Sequence, residues 1–230
     1  MGNTINNYIL LTSKSWHNNL FEYLQTRPNE LWTRISSKED FNIEKIKLLN
    51  PIKIFIPHWS YIISKEIFEN YRCIVFHMTD LPFGRGGSPL QNLIIRGLTE
   101  TKISAIKVNE GIDTGDIYVK ETLSLNGTAT EIFERSVPII QSLIEKIIDE
   151  QIEPKSQVGE LVVFKRRKPE ESNISALQEL EEVYDYIRML DCEGYPNAFV
   201  ETENFKFDLS NAQFNTEQNC INANVRIFKK

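Results

Sequence analysis

CIVFHMTDLPFGRGGSPLQNLI, residues 73–94, runs from an apolar strand-like segment into a turn and then a helical pattern. Cys73 to Phe76 is continuously apolar, as in a strand buried on both faces of a parallel sheet. It stops on His77, and Pro82, Gly84, Gly86 and Gly87 then punctuate a turn that ends in a helix over Gln91–Leu98, with Gly97 as its stop signal. Upstream the pattern repeats. Tyr8–Thr12, Leu31–Ser36 and Ile52–Ile56 read as strands, and helical spacing follows each at Trp16–Leu24, Ile43–Leu49 and Ser64–Tyr71. Strands alternating with helices predict an α/β, Rossmann-like doubly wound, mostly parallel sheet, with ligands outside the carboxyl ends of its strands. His77 lies just past one such end.

Downstream, Lys102–Val108 and Ile117–Leu125 are β-rich and flank the turn-rich loop Asn109–Asp116. Thr128 and Glu131 have capping-box spacing before a long amphipathic helix, in which Pro138 predicts a kink or a break. From about Pro154 the chain changes character: a strand at Leu161–Phe164, a helix over Ala176–Leu190 and a strand-rich tail. The expected division is a catalytic domain over 1–154 and a small C-terminal α+β subdomain over 155–230.

Composition narrows the function classes. The 230 residues carry a net charge of −6, with 41% hydrophobic and 25% charged side chains, the balance of an ordinary globular protein. An acidic chain argues against a large nucleic-acid footprint. The one dense basic run, Lys165–Lys168, reads as a solvated edge. With no apolar run of about 18 residues and no basic n-region before an apolar core, a membrane span and a signal peptide are not expected, and a cytoplasmic location is. Cys73, Cys192 and Cys220 are too few and too scattered for a disulfide framework or a zinc site, so no metal is expected.

His77 is suited by chemistry and position to general acid/base work; the alternative is a histidine hydrogen-bonded within its turn. The glycines could form an anion nest before the helix, but the Walker lysine and the GxGxxG order are both missing. Room for a close-packed flat ligand is an equal use of glycine. Asp113 and Asp116 would ordinarily cap a turn or be solvated. Asp113 gains weight only if its loop lies beside His77.

The string His77-x4-Pro82-x2-Arg85-Gly86-x2-Pro89-x-Gln91, with Asn109-Glu-Gly-Ile-Asp113-Thr-Gly-Asp116 after it, resembles the folate-dependent formyltransferase family. Helix residues 183–190 and Tyr195–Ala198 are similar to that family's C-terminal subdomain in its sugar- and tRNA-modifying branches. The resemblance implies a one-carbon transferase that uses 10-formyltetrahydrofolate, with His77 and Asp113 catalytic. It implies a folate site on Trp59, Ser60, Tyr61, Ile62, Asn109, Glu110, Gly111 and Ile112. Substrate contacts would come from Thr79, Pro82, Phe83, Gly84, Arg85 and Gly86. His58 matches no catalytic position of the family. The sequence looks most similar to the compact nucleotide-sugar N-formyltransferases, of pseudaminic-acid-precursor type. That implies formyl transfer to a nucleotide-linked 4-amino-4,6-dideoxy sugar for polysaccharide biosynthesis, with no nucleic-acid partner. Glycinamide ribonucleotide and aminoacyl-tRNA are the alternative acceptors. A non-catalytic folate or nucleotide-sugar binding module, a deformylating hydrolase and a homodimer through the tail stay open.

One departure stands out. Val75 replaces the family's asparagine two residues before the histidine, and valine cannot donate to an oxyanion. Losing one such donor costs about 2.7–4 kcal/mol. Asn92, Thr79 and Ser60 are the candidate substitutes.

Overall fold

The computed structural model describes residues 5–230. By compactness the described residues divide into two units that interleave in sequence: 5–85, 102–123 and 135–163 form one, and 86–101, 124–134 and 164–230 the other.

The frame of the first unit is a six-stranded sheet. In chain order its elements are β1 (Asn6–Thr12), α1 (Asn18–Leu24), β2 (Glu30–Ile35), α2 (Ile43–Leu49), β3 (Lys53–His58), α3 (Lys65–Asn70) and β4 (Arg72–His77), then β6 (Glu100–Lys107) and β7 (Ile117–Ser124), with strand order β2-β1-β3-β4-β6-β7. The strands β1 to β4 pair in parallel, as the alternation of periods predicts, whereas β6 runs antiparallel to β4. Period-two alternation sorts the side chains. Ile9, Leu11, Ile54, Ile56 and Cys73 join Ile46 of α2 and Ile67 of α3 in one buried cluster. Across the strands β1 to β4, Trp32 stacks on Tyr8 at 4.9 Å, Trp32 lies 5.6 Å from Phe55, and Phe55 is 6.4 Å from Phe76. An Asn42 side chain accepts from the Lys45 N–H to cap α2, and Asn50 ends it in the left-handed conformation.

The glycine-rich turn holds a strand that sequence reading missed. β5 (Phe83–Gly86) pairs with β8 (Val162–Phe164) in a two-stranded sheet. Helix α4 (Pro89–Ile94) follows, with proline at its first turn, and Gly97 stops the chain at φ +73°. The long helix α5 (Ala129–Asp149) is entered through the expected capping box: Thr128 N–H donates to Glu131 Oε2, and Glu131 N–H to Thr128 Oγ1. The break expected at Pro138 does not occur. The helix continues through the proline, which lies on its exposed side.

In the second unit, α6 (Leu180–Arg188) is shorter than the helix expected over 176–190. It packs on a three-stranded antiparallel sheet in the order β11-β10-β9, formed by β9 (Ala198–Glu201), β10 (Phe205–Asn215) and β11 (Cys220–Lys229). Tyr184 stacks on Phe214 at 5.8 Å, and the Arg188 guanidinium caps the carbonyls of Leu125 and Gly127. Among the described residues no helix is long and apolar enough to cross a membrane.

Candidate active site

His77 closes β4, where its backbone pairs with Ser104 of β6, and the residue is 7% exposed. Its Nε2 lies 2.8 Å from the Gly84 carbonyl. A carbonyl oxygen only accepts, so Nε2 carries the proton and Nδ1 is the nitrogen left to work. Nδ1 lies 3.5 Å from Asp113 Oδ1. That is within ion-pair reach but long for a hydrogen bond, a distance that substrate-bound sites commonly tighten.

The arrival of Asp113 at His77 is not a matter of aligned strand ends. Because β6 is antiparallel to β4, it ends beside the start of β4, where the Val108 N–H donates to the Cys73 carbonyl. The loop 109–116 must therefore turn back. Asn109 Oδ1 accepts from the Gly111 N–H and the Thr114 hydroxyl, an Asx turn that fixes its first half. Asp113 sits at φ +54°, a region that aspartate tolerates better than most side chains. Gly115 is obligatory, because a Cβ there would lie 1.6 Å from the Lys107 carbonyl oxygen.

The turn after His77 is tied down from below. Ser104 Oγ donates to the Thr79 carbonyl at 2.6 Å and accepts from the Leu81 N–H. Asp80 pairs with Lys102 and Lys120; burial alone would raise its pKa, but hydrogen bonds from the two lysines outweigh that and hold it below the usual carboxylate value.

Two of the three substitutes expected for the missing asparagine, Thr79 and Asn92, are committed elsewhere. Thr79 Oγ1 is buried and donates to the Gly84 carbonyl. Asn92 Nδ2 donates to the carbonyls of Gly87, Ser88 and Lys165, while its oxygen accepts from Arg96. Ser60 is exposed. Val75 itself packs against the cluster of Ile54, Ile56 and Cys73, which gives the valine an apolar role.

The glycines have local causes as well. A Cβ on Gly86, at φ +106°, would lie 2.3 Å from the Phe164 carbonyl oxygen, and one on Gly87 would lie 2.5 Å from Arg166 Cβ. Both residues are bare because another chain segment passes over them. Phe83 is half-buried and Pro82 buried beside them.

The expected folate segments are neighbours: Lys65, just past the 59–62 loop, forms an ion pair with Glu110. Trp59 is half-buried and meets Phe41 and Tyr61 edge-on at 6.1 and 5.3 Å, whereas Ile62 is 92% and Ile112 71% exposed. Exposed aliphatic side chains beside aromatic ones suit a flat ring. His58 and His17 are apart from this chemistry. Burial lowers the His58 pKa to about 4 and the His17 pKa to about 3, and each ring packs with Trp16.

Two residues at the site went unread in the sequence. Ser104 is hidden in an ordinary strand pattern. Gln157 lies in the connection before β8, and its side chain reaches Arg85 and the acidic loop. No motif marks either one.

Residues 13–135 match the formyl transferase family, and residues 169–228 match the methionyl-tRNA formyltransferase C-terminal domain. The chain belongs to the formyl transferase family. Among solved structures, the methionyl-tRNA formyltransferase from Clostridium thermocellum superposes with a TM-score of 0.95 at 50% identity, covering 98% of this chain and 100% of that one. The methionyl-tRNA formyltransferase of Thermodesulfovibrio yellowstonii is 30% identical over 159 residues, 66% of this chain and 52% of its own length. The chain thus spans about half the length of the curated relatives it matches first. A 4-N formyltransferase from Francisella tularensis, at 16% identity and a TM-score of 0.67 over 87% of this chain and 94% of that one, shares the formyl transferase fold. The family expected from the two motifs is therefore the right one. The narrower expectation, the nucleotide-sugar branch with its polysaccharide pathway, is not supported: both relatives of higher identity are methionyl-tRNA formyltransferases by name. Among the described residues no group of three or more His, Cys, Asp or Glu side chains could hold a metal ion.

Proposed function

We propose that this protein transfers the formyl group of 10-formyltetrahydrofolate to a primary amine, with His77 and Asp113 as its catalytic pair. The observation that carries the reading is the approach of Asp113 Oδ1 to His77 Nδ1, 3.5 Å apart in a ring whose other nitrogen is already bonded. In that arrangement Nδ1 takes the proton released as the amine attacks the formyl carbon, and Asp113 stabilises the resulting imidazolium. The formyl C–N10 bond then breaks, and the imidazolium returns the proton to N10 so that tetrahydrofolate leaves neutral. Trp59, Tyr61, Ile62 and Ile112 would hold the pterin, with Ser60 and residues 109–111 supplying polar contacts at its edge. A cytoplasmic setting goes with this reading.

For the acceptor, the names of the relatives support the amine of an aminoacyl-tRNA, as does the match of 169–228 to a methionyl-tRNA formyltransferase C-terminal domain. A nucleic-acid partner, which net charge argued against, therefore returns to the proposal. A nucleotide-linked amino sugar is the second reading, favoured by one observation: residues 164–230 carry more acidic than basic side chains, a poor match to a phosphate backbone.

The test supplies 10-formyltetrahydrofolate together with methionyl-tRNA, a panel of nucleotide-linked amino sugars, glycinamide ribonucleotide, or no amine. Formylated methionyl-tRNA is the expected product. A formylated sugar instead would transfer the assignment to the second reading. Formate release without any amine would make it a hydrolase, and no turnover in any arm would leave a binding module.

A further inference from the structure

We propose that Gln157 is the positioning residue of the acidic loop, acting on the reaction through Asp113, and that Arg85 anchors Gln157 rather than a substrate. The catalytic half of this inference rests on the formyl-transfer reading; the structural half does not.

The Gln157 side chain makes four hydrogen bonds. Its Oε1 accepts from Arg85 Nε at 3.1 Å and from Nη2 at 2.7 Å. Its Nε2 donates to the carbonyls of Asp113 and Gly115, both at 2.8 Å. The orientation of the amide is not arbitrary: a guanidinium only donates and backbone carbonyls only accept, so oxygen must face Arg85 and nitrogen the loop. Glutamine meets both demands at once. Glutamate would turn an acceptor toward two acceptors, and lysine could not receive from Arg85.

The backbone brings Gln157 there. Lys155 and Ile117 exchange both backbone hydrogen bonds, at 2.8 and 2.9 Å, which lays residues 155–157 alongside 115–117. Two further ties hold other residues of the loop. The Asx turn at Asn109 holds Gly111 and Thr114, and the Lys107 N–H holds the Asp116 carbonyl. Gln157 grips the two carbonyls that flank Thr114, one of them on Asp113 itself. The left-handed backbone at Asp113 is where a loop without external support would relax first. A shift of about 1 Å in a catalytic group can cost about a hundredfold in rate.

Three variants test this: Gln157→Leu, Gln157→Glu and Arg85→Met, each first shown to melt cooperatively. Amide hydrogen exchange is followed over residues 109–116 and, as internal control, over β3 and β4. Formyl transfer is measured as kcat and KM separately. Both Gln157 variants should speed exchange across 109–116 at least about tenfold while the strands stay as in wild type. Their kcat should fall about a hundredfold, with a smaller rise in the KM for folate because the proposed folate site shares residues 109–112. Arg85→Met should show the same pattern more weakly. Gln157→Glu keeps its tie to Arg85, so its failure would isolate the two donated hydrogen bonds as the cause. Unchanged loop exchange in both Gln157 variants would overturn the proposal. So would a raised KM at full kcat, which would put Arg85 and Gln157 on the substrate. If the wild-type protein formylates no amine, the functional reading fails, and the exchange data alone decide whether Gln157 holds the loop.

Discussion

In the proposed mechanism His77 is the residue on which the chemistry turns, and its two ring nitrogens have different partners. The Gly84 carbonyl accepts a hydrogen bond from Nε2–H, which in the proposed mechanism leaves the acid/base work to Nδ1 beside Asp113. Replacing His77 with alanine is expected to lower kcat by about 10²–10⁴-fold, the range for a positioned general acid or base, with little change in folate binding. Steady-state kinetics of formyl transfer checks this, and full turnover in the variant would remove His77 from the mechanism. The identity of His77 was legible from its place at a strand end beside Pro82 and Arg85. What surrounds it was not. Thr79 and Asn92 looked like spare donors, and only their coordinates show every donor spent on a local carbonyl. Val75 likewise read as a lost oxyanion donor, and in the fold it is a packing residue of the β3–β4 core.

At the scale of elements, the loop 109–116 does what a strand end would do in a purely parallel sheet. It starts from the wrong end of an antiparallel strand and folds back to meet His77, with Gly115 letting it pass under the Lys107 carbonyl. Gly115→Ala should therefore displace the loop and destabilise the fold by about 1–3 kcal/mol, the usual cost of overpacking. Urea denaturation measures the loss, and an unchanged midpoint together with unchanged activity would show that the loop has room to spare. The periodicity of the sequence located nearly every helix and strand of the first unit, since burial of one face is written in the spacing of apolar residues. It missed β5 because glycine carries no hydrophobic pattern. The reason for Gly86 and Gly87, the close passage of residues 164–166, lies almost 80 positions away along the chain.

Over the whole molecule, pH reports on histidines that take no part in the proposed chemistry. His17, bonded to Thr12 Oγ1, and His58 are kept neutral by burial, with pKa values lowered from 6.5 to about 3 and about 4. The unfolded chain binds protons on both near pH 6.5 while the folded chain does not, so acid favours unfolding. Stability is full above about pH 6.5 and declines as pH falls toward those lowered values, each histidine contributing about 1.4 kcal/mol per pH unit in its window. Denaturation midpoints at pH 7.5, 6 and 5 should fall in that order. A rise on acidification, or an undiminished fall in a His17→Gln, His58→Gln double variant, would exclude this origin.

By itself the sequence determined the α/β class, the strand–helix order and the family, and it singled out His77 and Asp113 as the pair the proposed mechanism uses. These depend on local periodicity and on short motifs whose members lie close along the chain. The tertiary structure decided which side chains are already occupied, why Gly86, Gly87 and Gly115 must be bare, and how Asp113 reaches His77 from an antiparallel strand. It also brought Gln157 against the acidic loop. Those outcomes depend on contacts between distant segments, and the hydrogen-bond partners that settle them leave no periodic trace in the sequence.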